Sequence, residues 1–386
     1  MALAASGCDL GTARVEPSYG PPLHVIATYP ENGAGLDCAP LPRRDGGTRD
    51  AAADANGLDA SDGAANPDGA ANLAGATSRD AASSGDARSD ADAESSFVPI
   101  DPHCGVPTNA AIELRFDRYV LPSTASRASI AVFTGRRSNS VFFDTNYDPL
   151  ERVVTFRPSY GSKFLPGVVY EVQITVPDGA GGAGFRAFDG APLAPYAKGG
   201  APLTFVFRTA VHASAPVPAV APSSCRDVLQ AFARGGCPTC HSSAPSSTFG
   251  LALDSGASLA NTAIQKVARE TEDGPYTGRP ATSPLRFGVA MPLILPDDPG
   301  SSYLFYTLLS NPKNFAGEGA CTTEHVVPLP NGTCLEASAP EEQRLHDAFA
   351  SLDPMPPPDA ALGDGIADLR LIERFIAAGA STDDCP

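Results

Sequence analysis

Residues 237–241 read Cys-Pro-Thr-Cys-His, and this pentapeptide constrains the fold of the chain more than any other feature. Two cysteines at this spacing can each form a thioether with a vinyl group of haem, and the adjacent histidine can bind the iron. The motif therefore predicts a pocket for one haem c. Cys237 and Cys240 would be its covalent attachment sites, and His241 would be the proximal iron ligand.

A C-x-x-C pair has three other common interpretations: half of a zinc knuckle, a redox dithiol or a disulfide. A zinc site would need a second, closely spaced pair of ligands, and the chain contains no such cysteine or histidine pair. A redox dithiol would need a βαβ frame, whereas the flanks of this motif indicate a helix and then a loop. Haem attachment is therefore the preferred interpretation.

A haem used for electron transfer needs a sixth ligand, because an open iron position invites oxygen or peroxide chemistry. Met355 lies in a proline-rich loop ahead of the last helix, where it can present its sulfur without helical hydrogen bonds. Met291 is the second choice, since its apolar neighbours also suit a packing role. His325 and His346 are the non-methionine options, and each is expected to be an ordinary surface histidine.

Nine cysteines in an acidic chain indicate an oxidising compartment. Once the haem pair and Cys8 are set aside, six cysteines remain, which is compatible with three disulfides. The candidate pairs are Cys38–Cys104 at the neck of an insert, Cys225–Cys385 at the ends of two helices, and Cys321–Cys334 around a short loop.

Charge and composition narrow the class of partner. The formal net charge is −17 and the pI is about 4.7. This balance argues against nucleic acid or an anionic membrane face as the partner, and favours a redox protein with a basic docking face. The 38 prolines, 37 glycines and absence of tryptophan favour loop-rich and β-rich structure. No apolar stretch is long enough to predict a transmembrane helix.

Residues 44–96 predict a disordered, acidic, low-complexity insert. The segment is mostly Ala, Asp, Gly, Ser and Asn, with eleven acidic and four basic side chains. Leu58 and Leu73 are its only large apolar residues, so it cannot bury enough surface to offset its ordering entropy. Its aspartates fit neither an EF-hand loop nor a calcium-binding nonapeptide.

Seven short segments with turn signals between them predict an antiparallel β-sandwich. They are residues 24–28, 112–116, 129–134, 141–144, 152–156, 168–176 and 203–209. The stretches Pro-Glu-Asn-Gly at 30–33, Leu-Pro-Gly-Val-Val-Tyr at 165–170 and Phe-Val-Phe-Arg-Thr at 205–209 resemble the bacterial Ig-like domain of secreted and surface-layer proteins. For residues 22–210 the resemblance implies a spacer or adhesive module without chemistry.

The C-terminal part begins and ends with predicted helices. Residues 224–233 are amphipathic with Ser224 as a cap, and residues 365–378 carry an apolar stripe that ends at Gly379. Two terminal helices around a loop-rich pocket are the arrangement that cytochrome c domains use.

A second resemblance covers about residues 222–386. Its motifs are the C-x-x-C-H pentapeptide, Phe-Gly-Leu-Ala-Leu-Asp at 249–254, Pro-Asp-Asp-Pro-Gly-Ser-Ser-Tyr-Leu at 296–304 and Met-Pro-Pro at 355–357. Together they resemble the cytochrome c-like domains of planctomycete and myxobacterial secreted lipoproteins. The resemblance implies haem attachment at Cys237 and Cys240, with His241 proximal and Met355 distal.

The N-terminal Leu-Ala-Ala-Ser-Gly-Cys at residues 3–8 resembles the lipobox of bacterial lipoproteins, in which the cysteine is lipidated. The resemblance implies a lipid anchor at Cys8. It departs from the family in having no basic region and no full apolar region before the cysteine. A chance cysteine after a run of small residues is the alternative.

These patterns predict a multidomain chain, an N-terminal Ig-like β-sandwich followed by a mainly α cytochrome c-like domain. The expected segments are a signal remnant and tether (1–21), the sandwich with its insert (22–210), a Pro-rich linker (211–222) and the haem domain (223–386). The expected function is one-electron transfer in the periplasm or at the cell surface, not catalysis. A haem enzyme or gas-reactive protein with an open iron, and a structural or adhesion lipoprotein, are the alternatives.

Overall fold

The computed structural model describes residues 20–38, 104–135, 141–159, 163–179, 182–196, 201–212, 221–244, 250–268, 291–315, 324–329, 339–348, 355–357 and 359–385, with only the backbone of 346–348. All of these belong to one compact unit, Met1–Cys38 with Pro102–Pro386. The predictions for Cys8, the insert at 44–96, most of the linker, and the pair Cys321 and Cys334 lie outside the described residues.

Among the described residues of the N-terminal part, seven strands form two antiparallel sheets with a shared apolar interior. The strands are β1 (Val25–Tyr29), β2 (Ile112–Phe116), β3 (Ile130–Thr134), β4 (Phe143–Asp148), β5 (Val153–Pro158), β6 (Val169–Ile174) and β7 (Thr204–Arg208). One sheet has the order β1-β2-β5-β4 and the other the order β3-β6-β7. The seven predicted strands are confirmed, with their ends shifted and β4 extended to Asp148.

Aromatic side chains fill the space between the two sheets. The Phe164 ring lies 4.8 Å from Tyr170 and 5.4 Å from Phe207, measured between ring centroids. Phe156 of β5 and Phe116 of β2 are fully buried in the same core. Large aromatic rings bury the most apolar surface per residue, so this cluster accounts for much of the sandwich's stability.

Strand β2 is buried on both of its faces. Alternation along a strand places Ile112 and Leu114 on one face and Glu113 and Arg115 on the other. All four are buried, with Glu113 5% and Arg115 0% exposed. A sandwich strand with one solvated face would expose these two charges. Segments of the C-terminal part of the chain cover them instead.

In the part of residues 223–386 that the structure describes, five helices are present: α1 (Cys225–Arg234), α2 (Gly256–Thr262), α3 (Tyr303–Leu309), α4 (Ala339–Ala348) and α5 (Ile366–Ala377). Helices α1 and α5 confirm the two predicted helices, and the three between them were not predicted. Every residue of α3 is buried, so its sequence has no polar face to reveal a helical period. Among the described residues, no helix is long and apolar enough to cross a membrane.

Two of the predicted disulfides are present. Cys38 is bonded to Cys104, and Cys225, the first residue of α1, is bonded to Cys385 beyond α5. The second bond acts together with an ion pair between Arg234 at the end of α1 and the fully buried Asp368 of α5. The first and last helices are therefore joined at two points along their length.

A buried charge network connects the four-stranded sheet with the C-terminal part. Asp148 at the end of β4 lies 2.8 Å from His325 Nε2 and 3.0 Å from the Arg370 guanidinium of α5. Glu113 of β2 accepts hydrogen bonds of 2.8 Å from the backbone N–H groups of Val326 and Val327. The outer face of the sheet is therefore a docking face for the segment at 324–327 and for α5.

A second contact lies at the start of α4. The buried Arg118, just after β2, pairs with Glu341 of α4 at 2.9 Å and with Asp189 at 2.6 Å. The backbone N–H of Tyr119 also donates to the Glu341 carboxylate at 3.2 Å. Each of these buried charges has both an opposite charge and hydrogen-bond partners, as burial in a protein interior requires.

The expectation that His325 is an ordinary surface histidine was wrong. Burial by itself lowers the pKa of His325, but the carboxylates of Asp148 and Glu113 outweigh it and raise the pKa to about 10. Asp148 is correspondingly held in its charged form, because the charges of Arg370 and His325 overcome its burial and lower its pKa. Sequence could not show this, since His325 and Asp148 are 177 residues apart.

We expect the stability of the protein to fall at alkaline pH because of His325. Its pKa is higher in the folded state than the ordinary value of 6.5, so its stabilising charge is complete below that value and is lost as pH rises through about 10. Urea unfolding measures this at about pH 7 and about pH 9. Between these pH values the free energy of unfolding should fall in both proteins, and it should fall by about 2 kcal/mol less in His325→Gln than in the wild type. Equal losses in the two proteins would contradict this assignment.

Candidate functional site

One cavity of about 550 Å³ gathers the predicted haem residues. Cys237, Cys240, His241 and Met355 all line it, although Met355 lies more than a hundred residues beyond the other three. Most of the remaining wall is apolar. It includes Phe232, Leu251, Leu253, Leu293, Leu304 and Leu308.

The end of α1 delivers the C-x-x-C-H segment to this cavity. Gly236 follows the helix with φ +70°, a conformation that residues with a Cβ rarely adopt, and it turns the chain out of the helical path. A short 3-10 turn, Cys237–Thr239, comes next. The backbone N–H of His241 then donates to the Cys237 carbonyl at 2.9 Å. The turn therefore places both thiols and the imidazole on one short, ordered segment.

Both thiols of the motif are free, whereas Cys38–Cys104 and Cys225–Cys385 are bonded. Cys237 is largely buried, Cys240 is exposed, and burial raises the pKa of Cys237 to about 11. A redox dithiol depends on a thiolate with a lowered pKa, so the environment of Cys237 does not favour that alternative.

His241 is held as a buried, neutral imidazole. The residue is 7% exposed. Burial lowers the pKa of His241, and a hydrogen bond to the backbone of Leu251 acts in the opposite direction. The neutral imidazole is the form that binds iron, so the burial of His241 favours the protonation state that a proximal ligand needs.

A capped loop keeps His241 in place from its C-terminal side. The backbone N–H of Leu253 donates to the His241 carbonyl at 2.8 Å. Asp254 accepts hydrogen bonds from the backbone N–H and the hydroxyl of Ser243, at 2.7 and 2.8 Å. Hydrogen bonds from the Ser243 backbone and from the Ser258 and Ser243 side chains lower the pKa of Asp254 to about 2. The Asp254 carboxylate is therefore charged at neutral pH.

Met355 also lines the cavity, and its backbone is bonded to α3 and to the residues that follow it. Its backbone N–H donates to the carbonyl of Thr307 on α3 at 3.1 Å, and its own carbonyl accepts from the Asn314 side chain at 3.0 Å. Pro356 and Pro357 follow and also line the cavity. The thioether predicted to be the distal ligand is thus carried by a loop that is fixed at its backbone.

Two of the other three ligand candidates lie outside the described wall of the cavity. Met291 is 6% exposed, packs in the hydrophobic core and is absent from the described cavity wall. His325 is engaged in the charge network with Asp148 and Glu113. His346 is in α4, and its side chain lies outside the described residues. Of the four candidates, the structure places only Met355 in the described wall of the cavity.

These residues fit a covalently bound haem. Two free thiols at C-x-x-C spacing, an imidazole and a thioether are the donor set that a c-type haem requires. The apolar walls and the size of the cavity suit a large macrocycle, since ligand pockets typically enclose roughly 300–1,000 Å³. Lys266, Asn261 and Thr262 add polar groups to the wall.

The sequence did not reveal the residues whose hydrogen bonds hold the site residues in place. The side chains of Asp254, Asn311 and Asn314 bond to backbone groups of other segments, and the backbone of Leu251 bonds to the His241 ring. No spacing pattern marks such residues, because their partners are defined by the fold. The phrase Leu-Ala-Leu-Asp at 251–254 was part of a resemblance, but it gave no role for the individual residues.

Residues 91–209 match the family described as bacterial Ig-like domain, which confirms the Ig-like interpretation of that part of the chain. The match begins beyond β1, although β1 pairs with β2 in the same sheet. No curated protein sequence matches the chain.

Two solved structures of S-layer proteins are similar to part of the chain. The S-layer protein rSbsC(31-844) shares 14% identity over 31% of this chain and 14% of its own length, with a TM-score of 0.21. The N-terminal part of the bacterial S-layer protein SbsC shares 13% identity over 31% of this chain and 24% of its own length, also with a TM-score of 0.21. The chain thus spans a quarter or less of these relatives, and likenesses this weak carry no argument.

Proposed function

We propose that this protein is an extracytoplasmic mono-haem c-type cytochrome that transfers one electron at a time. The observation that carries the proposal is the convergence of Cys237, Cys240, His241 and Met355 on one largely apolar cavity of about 550 Å³. In this account residues 223–386 are a cytochrome c-like domain that holds one haem c. The bound haem would supply a one-electron iron couple.

The chain's own residues would hold the group and exclude other reactions. Cys237 and Cys240 would form the two thioethers, and the buried imidazole of His241 would face the iron as its proximal ligand. Met355 would occupy the sixth position, so that no coordination site is left for oxygen or peroxide. Rigid support of both ligands favours electron transfer, because little rearrangement then accompanies the change of charge.

The alternative of a haem enzyme would need an open iron and an acid–base side chain beside it. Within the described wall of the cavity, the titratable groups other than the haem-attaching cysteines and His241 are Lys266 and the deeply buried Tyr303. His325, which sequence offered for this role, is bound in the charge network. The observations therefore favour a carrier.

The proposed location is the periplasm or the cell surface of a bacterium. The two disulfides and the match to a bacterial Ig-like domain support an oxidising, extracytoplasmic compartment. A lipidated Cys8 would tether the chain to a membrane, and the acidic charge would steer a redox partner with a basic face. The Ig-like sandwich would then position the haem domain, since buried ion pairs connect the two parts.

Covalent haem attachment is testable by mass. The full chain, made in a host with a c-type maturation system, should gain the mass of one haem and keep its haem after acid–acetone extraction. Cys237→Ala with Cys240→Ala should abolish both properties. Cys38→Ser with Cys104→Ser removes the same number of cysteines, a disulfide outside the described cavity wall, and should retain covalent haem. Haem lost equally from both double variants, or never attached to the wild type, would contradict the proposal.

A further inference from the structure

Two buried asparagines, Asn311 and Asn314, lie just after α3 and are 0% exposed. Burying an amide side chain is unfavourable unless its donors and its acceptor all find partners. Neither side chain is among the residues that line the described cavity, so neither would touch a bound haem. Their positions raise the question of what these two amides hold.

Each asparagine uses both of its donor hydrogens and its acceptor oxygen. The Asn311 amide donates to the carbonyls of Pro356 and Ala360 at 2.9 and 3.0 Å, and its oxygen accepts from the Lys313 N–H at 3.0 Å. The Asn314 amide donates to the carbonyls of Leu308 and Met355, at 2.8 and 3.0 Å. Its oxygen accepts from the Leu362 N–H at 2.8 Å.

Three of these partners, the carbonyls of Met355, Pro356 and Ala360, belong to the loop that carries the proposed distal methionine. Met355 and Pro356 are consecutive, and their two carbonyls are held by the two different asparagines. Pro356 and Pro357 have no backbone N–H, so this stretch cannot build a regular hydrogen-bonded ladder of its own. Its carbonyls need donors from elsewhere, and the asparagine side chains supply them.

The same bonds tie the loop to α3, which lines the cavity, and to the chain that leads into α5. Asn314 connects Met355 to Leu308, and the Met355 N–H connects the loop to Thr307, so Met355 is pinned to α3 at two points. Through Leu362, Asn314 also reaches the chain that leads into α5. Fixed backbone on both sides of Met355 limits where its thioether can go.

We propose that Asn314, supported by Asn311, is a positioning residue that keeps the Met355 thioether in the sixth coordination position of the iron. The inference rests on the proposed function and names the residues that close the iron. Loss of Asn314 would release the Met355 carbonyl, and loss of Asn311 would release those of Pro356 and Ala360. In either case the thioether would leave the iron more often, and small ligands would compete for the vacated position.

The test compares three buried polar residues in the haem-loaded full chain: Asn314→Ala, Asn311→Ala and, as a matched control, Ser302→Ala. The Ser302 hydroxyl is also 0% exposed and makes bonds of 2.9 and 2.8 Å with Leu295 and Asp298, away from the methionine loop. The measurements are carbon monoxide binding to the reduced protein, the weak long-wavelength band of methionine-ligated ferric haem, and thermal unfolding.

We expect Asn314→Ala to raise the fraction of iron that is free of the Met355 thioether roughly three- to tenfold, which is the effect of losing one buried hydrogen bond. Carbon monoxide at saturation, which leaves the wild type unchanged, should then bind measurably, and the long-wavelength band should weaken. Asn311→Ala should act in the same direction but less strongly. Ser302→Ala should lower thermal stability and leave the iron as closed as in the wild type.

The outcomes separate this inference from the function on which it rests. In one outcome, the asparagine variants lose stability and yet bind no more carbon monoxide than Ser302→Ala does. That result would overturn the positioning role of Asn314 but not the proposed cytochrome function. A wild type without covalent haem would overturn the proposed function and the inference together. If Asn314→Ala does not fold, Asn311→Ala decides the question, because it loosens the loop without touching the bonds of Asn314.

Discussion

Replacing Arg370 with methionine is expected to destabilise the folded protein by about 3–5 kcal/mol, the range found when one partner of a buried ion pair is removed. The Arg370 side chain is 12% exposed and lies within 4 Å of carboxylate oxygens on Asp148, Glu151, Glu373 and Glu324. Without the guanidinium, buried carboxylates would face one another. Burial and the charge of Asp148 already raise the pKa of Glu373 far above its usual range.

Urea unfolding at neutral pH measures this effect, with Arg226→Met as the matched control. Arg226 is exposed on α1, and the same substitution there should change stability by less than about 0.5 kcal/mol. The double variant Arg370→Met with Asp148→Asn should lose less free energy of unfolding than the two single variants lose in sum. The difference should be about 1–3 kcal/mol. A similar small effect for both arginine variants would show that the network does not join the sandwich to the C-terminal part.

Replacing Met355 with alanine is expected to leave the sixth coordination position of the iron empty. Reduced wild-type protein should not bind carbon monoxide, whereas Met355→Ala should bind it readily, lose the long-wavelength ferric band and have a lower reduction potential. The physical reason is that the thioether is removed from a loop whose backbone bonds, to Thr307 and Asn314, do not depend on the side chain. The loop should therefore stay in place and leave an empty coordination position.

Met291→Ala is the control because it removes the same side chain from a buried position outside the described cavity wall. It should destabilise the protein by about 2–5 kcal/mol through the cavity that it leaves, and the iron should remain closed. The reverse pattern, an open iron in Met291→Ala and a closed one in Met355→Ala, would show that the second-choice methionine is the ligand.

The local features of this fold were accessible from sequence. The alternation of Ile112, Leu114 and Phe116 marks β2, and the Ser224 cap with the Gly379 stop marks the two terminal helices. Alternation could not show that Glu113 and Arg115 are buried as well, because the segments that cover them lie about two hundred residues away. The continuous apolar run of α3 hid its helical period for the same reason, since neighbours cover it on every side.

Some features of the candidate site could likewise be predicted from the sequence, and others depend on the fold. The thiols and the imidazole sit within five consecutive residues, and the Met-Pro-Pro sequence indicated Met355 through its rigidity. The bonds from Asn314 to Met355 and from His325 to Asp148 join segments that only the folded chain brings together. His325 shows the resulting error: a histidine in an unremarkable stretch of sequence becomes a charged element of the interior.

The central claim is that one covalently attached haem has both axial positions filled by this chain. The most direct test is the optical spectrum of the haem-loaded wild type, oxidised, reduced, and reduced under carbon monoxide. The account predicts a sharp c-type α band on reduction, a weak long-wavelength band when oxidised, and no change with carbon monoxide. A Soret band that shifts under carbon monoxide would mean an open iron, and a chain without covalent haem would contradict the account as a whole.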